Sequence, residues 1–167
     1  MTQVTIHQDE FWLDGQPTYP GRSFAGHKIQ GLLFNVRAVQ ATCDHTNPAP
    51  GTRWASPDPG EWDPERNTAE LWPALPAWRQ HGVLAFTINV QGGGAIYDAE
   101  VYDHFDNNGF TAEGKLKPAY ARRIQQVVTR ADELGMVVIV GLFYWKHVAK
   151  LANEAAVWQA AYGTTEF

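Results

Sequence analysis

Two segments of this chain read as strands buried in a parallel sheet, residues 83–91 (VLAFTINVQ) and residues 136–145 (MVVIVGLFYW). Each follows a helical pattern closed by a glycine, Gly82 in one case and Gly135 in the other. A third candidate, residues 32–41 (LLFNVRAVQA), precedes them. Strand, helix, strand, helix, strand in this order requires crossover connections, which are right-handed and give parallel pairing. The expected fold class is therefore α/β, as either a β/α barrel or a doubly wound sheet.

Alternation along the second strand separates the two. Leu84, Phe86, Ile88 and Val90 make one face, and Ala85, Thr87, Asn89 and Gln91 make the other. A doubly wound strand is covered by helices on both sides and should be apolar on both. Here one face turns polar toward the C-terminal end, as in a barrel strand whose inner face leads to the active-site mouth. The first strand repeats the pattern. Leu32, Phe34, Val36 and Ala38 are expected to face helices, with Asn35 and Arg37 inside. About three β/α units fit in 167 residues, against eight in a closed barrel. The expectation is a single partial (β/α)8 TIM barrel, with a hairpin and lead-in over residues 1–28, three units over 29–162 and a tail. A doubly wound enzyme would need Gly92-Gly93-Gly94 as its phosphate loop. That run lies some twenty residues before the next helix, so an anion there could not sit on the helix N-terminus.

Around these strands, Asp14-Gly15 between two apolar runs signals a hairpin turn, with residues 18–20 as the return strand and the hairpin at the bottom or edge of the sheet. Residues 67–81 read as one helix, capped by Asn67 with Glu70 as partner and kinked at Pro73 and Pro76. Residues 118–134 read as a second, with Pro118 in its first turn and a stripe of Tyr120, Ile124, Val127, Val128, Ala131 and Leu134. Residues 151–162 form a last, short helix. Residues 44–66 and 92–116 are long loops after strands, where function concentrates.

Composition removes several functions. Net charge is −5 and no basic run exceeds two residues, so no nucleic-acid partner is expected. The longest apolar run, about ten residues, is too short for a bilayer. The opening MTQVTIHQDE lacks the basic and apolar regions of a signal peptide, which makes cytoplasm the expected compartment. Cys43 is the sole cysteine, so neither a disulfide framework nor a cysteine metal site is expected, and no cofactor is implied. Asp106-Asn107-Asn108-Gly109 lacks the full twelve-residue calcium pattern and reads as turn chemistry.

Seven Trp, six Tyr and eight Phe are many for this length. Most belong in a core, but Trp54, Trp62, Tyr97 and Tyr102 fall in polar loops. Tyr144 and Trp145 cluster where the third strand ends, beside Lys146 and His147. Aromatics at such a rim suit a sugar, whose C–H face stacks on a ring while its hydroxyls pair with groups such as Asn89 and Gln91. An Arg at position 37, facing a barrel interior, needs a carboxylate or several carbonyls, either in a ligand site or in a purely structural ion pair.

Three runs, FWLDGQPTYPGRSFAGHKIQGLLFNVRAVQ, ERNTAELWPALPAWRQHGVLAFTINVQGG and GKLKPAYARRIQQVVTRADELGMVVIVGLFYW, resemble the N-terminal part of cellulase-like (β/α)8 glycoside hydrolases. The likeness spans most of residues 4–160 and lies in strand patterning and recurring phrases. It implies hydrolysis of a glycosidic bond by the retaining route, using two glutamates and an oxocarbenium-like transition state. In the family one glutamate, commonly in an Asn-Glu pair, ends the fourth strand, and the other ends the seventh. This sequence departs from that pattern, reaching neither strand. Asn153-Glu154 opens a helical pattern rather than ending a strand, and the loop acids Asp44, Asp98, Glu100, Asp103, Asp106 and Glu113 show no telling spacing. No catalytic residue is therefore expected in this chain. A carbohydrate cleft would draw on Arg37, Asn89, Gln91, Tyr144 and Trp145, with Trp54 and Trp62 further out. The chain alone is expected to be inactive and to self-associate through open sheet edges. A non-catalytic carbohydrate-binding or interaction domain is the alternative.

Overall fold

The computed structural model describes residues 1–44, 62–92, 107–144 and 148–165. The chain opens with β1 (Val4–His7), β2 (Glu10–Leu13) and β3 (Gln16–Pro17), an antiparallel meander. Leu13 pairs with Gln16 across Asp14 and Gly15, whose φ angles of 49° and 77° are those of a two-residue mirror-image turn. Pairing thus resumes at Gln16, two residues before the expected return strand. Thr18 instead donates its hydroxyl to the Leu32 carbonyl at 2.6 Å. A second hairpin, β4 (Ser23–Phe24) with β5 (His27–Lys28), was not foreseen. It turns at Ala25-Gly26, and an alanine at φ 48° carries no turn signal. The hairpin region meets the end of the main sheet where the strands begin. The Tyr19 hydroxyl donates to the Gly82 carbonyl at 2.9 Å, and the Thr2 amide donates to the Asp132 carboxylate.

The main sheet is parallel, in the order β6 (Asn35–Arg37), β7 (Ala85–Asn89), β8 (Val137–Gly141). Arg37 aligns with Thr87, and Asn89 aligns with Gly141. Between β6 and β7 lie α1 (Pro64–Ala69) and α2 (Ala74–Gln80). The 16-residue α3 (Pro118–Glu133) joins β7 to β8, and α4 (Glu154–Thr165) follows β8. The fold is thus mixed α/β, and no barrel closes among the described residues.

The expected helix over residues 67–81 is two helices. Asp63, not Asn67, caps the first: its carboxylate accepts from the Glu65 and Arg66 amides at 2.9 and 3.1 Å. Asn67 reaches instead to the Gln40 carbonyl at 2.8 Å, tying α1 to the end of the first strand segment. The prolines explain the break. Pro64 opens α1, and Pro73 and Pro76 fall just before and within the first turn of α2, where a missing N–H costs little.

Both inner strands start in the same way. Gly82 and Gly135 have φ of 84° and 62°. Gly82 N–H bonds to Arg79 and Val83 N–H to Trp78, while Gly135 bonds to Asp132 and Met136 to Ala131. These paired bonds close the two helices and turn the chain directly into β7 and β8.

Among the described residues, helices cover one face only. Phe86, Ile88 and Val90 are fully buried with Leu75, Tyr120 and Val127, Ile124 is nearly so, and Val36, Val138 and Val140 pack against this cluster. On the other face Asn35, Arg37 and Ile139 are exposed, and Thr87 and Asn89 are half-buried. Two expectations for the first strand are corrected. Leu32 and Phe34 are exposed, because the regular strand begins only at Asn35 and neither belongs to the covered cluster. Arg37 lies on the predicted face, but that face is open, so it is not a buried arginine.

One-sided burial sets an unequal cost on neighbouring residues. Phe86→Ala should destabilise by about 3–5 kcal/mol in urea unfolding, whereas Thr87→Ala should cost about 1 kcal/mol or less. Equal losses at both positions would show that the second face is also covered.

Candidate functional site

The C-terminal ends of the three parallel strands converge on a layer of polar side chains. Its centre is Asn107, which is fully buried. Its Oδ1 accepts from the Tyr120 hydroxyl at 3.1 Å and from the Asp44 amide at 3.1 Å, and its Nδ2 donates to the Gly92 carbonyl. Tyr120 reaches this layer from the first turn of α3, and its hydroxyl also donates to the Asn89 carbonyl at 2.9 Å. Thr42 lies in the same group, 3.5 Å from the Tyr120 hydroxyl. Burial pushes the Tyr120 phenol above its ordinary pKa, so it stays a neutral donor.

One turn along α3, Arg123 is also buried and lies over the Tyr120 ring, 5.1 Å from its centroid. Its guanidinium donates to Asp44 at 2.9 Å and to Glu65 at 3.1 Å. A buried guanidinium needs such partners, because an uncompensated charge in the interior is costly. The buried arginine that sequence reasoning assigned to position 37 is thus at position 123. An Arg within the apolar stripe Tyr120, Ile124, Val127 was the signal for it.

Gln91 is fully buried and acts as a strap. Its amide nitrogen donates to Asn108 at 3.0 Å, and its amide oxygen accepts from the Tyr144 backbone N–H at 3.2 Å. The Tyr144 ring then lies against Gly92, where an added Cβ would sit 2.7 Å from the ring. Asn89 is half-buried on the open face, with its side-chain oxygen against the bare α-carbon of Gly141.

Asn89, Gln91 and Tyr144 are therefore brought together at one rim. Arg37 shares their face one pleat lower, beside Thr87. Trp62 is half-buried at the entry to α1, and its buried indole N–H has no partner among the described residues. Trp54 and Trp145 lie outside the described residues, as do His147, Asp98, Glu100, Asp103 and Asp106. Asn153 caps α4, its side chain accepting from the Ala156 amide at 3.0 Å, as its place before a helical pattern implied. Asn107 and Asn108, read from sequence as turn residues, are instead buried bridging groups. Among the described residues no three metal-ligating side chains gather, and no helix is long and apolar enough to cross a membrane.

No family model, no curated protein and no solved structure matches this chain.

Cys43 sits in the same buried layer, its thiol 3.9 Å from the Gly92 carbonyl. Burial pushes this thiol up to about 12, which keeps it protonated and unreactive at neutral pH. At pH 8 the native protein should resist iodoacetamide and react stoichiometrically once unfolded in urea. Because the folded pKa lies above the unfolded one, the stability of this group is lost as pH rises from the ordinary thiol range toward 12. Rapid labelling of the native chain at pH 8 would contradict the buried placement.

Proposed function

We propose that the chain is part of a (β/α)8 glycoside hydrolase and supplies part of its carbohydrate-binding cleft. The observation that carries this reading is the one-sided parallel sheet. Its apolar face is packed under helices, while its open face bears Asn35, Arg37, Thr87 and Asn89 and leads to Tyr144 at the C-terminal rim. Barrel strands distribute apolar and polar residues in this way, and barrel ligands bind at that end. The parent reaction is retaining hydrolysis of an O-glycosyl bond. Tyr144 offers a ring for the C–H face of a sugar, and Asn89 and Arg37 offer polar partners for its hydroxyls. Gln91 serves the cleft by holding Tyr144 rather than by touching sugar. Trp62 is a further candidate contact, and Trp54 and Trp145 are candidates from the sequence alone. Asp44 and Glu65, carboxylates near this end among the described residues, are both engaged by Arg123, which leaves neither poised as nucleophile or acid. The chain by itself is inactive on this reading.

A second reading, a non-catalytic or self-associating domain, draws on the edge of β8, which is unpaired among the described residues. Ile139 on that strand is 38% exposed. A groove of about 430 Å³ lined by Ile124, Val128, Val140 and Leu142 runs beside it. Exposed edges of this kind recruit further strands.

Titration of the chain with gluco-, xylo- and manno-oligosaccharides, followed by NMR, separates the two. Binding should shift the Asn89 and Tyr144 signals, and Tyr144→Ala should weaken it about tenfold, equivalent to roughly 1.4 kcal/mol. Failure of all three sugar series to bind, with concentration-dependent association instead, would favour the second reading. Turnover of an aryl glycoside, abolished by changing a single loop acid, would overturn the claim of inactivity.

A further inference from the structure

We infer that Asn107 is a positioning residue that couples two roots, the chain at Asp44 after β6 and the chain at Gly92 after β7, so that a disturbance at one root is felt at the other. Three chain segments meet on its one amide. Asp44 and Gly92 are each the last described residue of their stretch of chain. Asn107 is the first described residue after Gly92. Its side-chain oxygen takes the Asp44 N–H, its side-chain nitrogen holds the Gly92 carbonyl, and its own backbone carbonyl takes the Gly92 N–H at 3.0 Å.

Complete burial makes this arrangement all-or-none. An exposed amide that lost one bond would turn to water at little cost. Here a root that moves away leaves a buried donor or acceptor unsatisfied, which costs about 1–3 kcal/mol and weakens the bonds that remain. The post that holds Asn107 is Tyr120. Tyr120 stands on the longest helix, and its hydroxyl is shared between Asn107 and the Asn89 carbonyl of β7. Arg123 on the same helix grips the Asp44 carboxylate, so the first root is tied to α3 twice, directly and through Asn107. The second root is tied again by the Gly109 N–H bond to the Val90 carbonyl at 2.8 Å.

Both roots stand at the C-terminal ends of the parallel strands, where ligands of such sheets bind. A ligand that restrains one root therefore lowers the cost of restraining the other, which is positive coupling without a change of fold. The inference does not rest on the carbohydrate reading and is tested without any ligand.

The test is amide hydrogen exchange by NMR on the full chain. Asp44→Ala alters the first root and its ion pair with Arg123, and leaves the Asn107 amide in place. It should speed exchange at Gly92 and Gly109, in the second root, about tenfold, while Ile88 in β7 and Val127 in α3 keep their rates. In an Asn107→Ala background the same Asp44→Ala change should add nothing further at Gly92. Should Asn107→Ala fail to fold, Tyr120→Phe takes its place, since it removes one donor to Asn107 and leaves the amide present. Combined with Asp44→Ala it should give a less-than-additive increase at Gly92. Unchanged exchange at Gly92 in Asp44→Ala would overturn the coupling, and so would fully additive effects in the double variants. An equal rise at Ile88 and Val127 would overturn it as well, because the disturbance would then be global.

Discussion

Burial of Phe86, Ile88 and Val90 against the helices is the contact on which the other features depend. These three side chains come from one face of the central strand of a three-stranded sheet, so they fix its orientation as well as its stability. Once they point toward α2 and α3, period-two alternation forces Thr87 and Asn89 to the opposite side. A slip of one residue would bury Thr87 and Asn89 and expose Phe86 and Ile88. The polar rim is thus a consequence of the apolar packing.

The same constraint explains why polar groups gather above the core. Where the strands end, the helix layer still covers the chain, and backbone carbonyls such as those of Asn89 and Gly92 lose their sheet partners. Buried carbonyls must be satisfied. Tyr120 and Asn107 do this from α3 and from the returning chain, and Gln91 does so for the Tyr144 amide. Arg123 extends the layer outward by gathering Asp44 and Glu65. A wholly apolar core would have left the roots of the loops free to find other partners, and a polar layer gives each a single address.

The strands of the sheet, the long helix and its glycine stop were legible because each depends on local pattern. The apolar stripe of α3, the Pro at its start and Gly135 at its end all act within a few residues. The two-helix break near Pro73 was legible as a kink, but its true cap was not. Asn67 and Asp63 are both good capping residues, and the choice went to Asp63 because Asn67 is drawn to Gln40 and Ala41 across the fold. The hairpin at Ala25-Gly26 left no trace, since alanine does not advertise positive φ. In the site, Asn89, Gln91 and Tyr144 could be placed at one rim from strand ends alone. Arg123, Asp44 and Asn107 could not be joined, because their partners are tens of residues away in the chain.

By itself the sequence determined the strand–helix alternation, the parallel pairing and which face of β7 would be apolar, because side-chain period and helix capping are properties of neighbouring residues. The tertiary structure decided which polar residues are spent on holding the fold and which remain at the rim. Gln91 was drawn inward by Asn108 and Tyr144, Arg37 was left on an open face, and Arg123 became the buried cation. Residue type cannot make that distinction. A buried polar group is defined by the partners that surround it, and those are assembled only when distant segments meet.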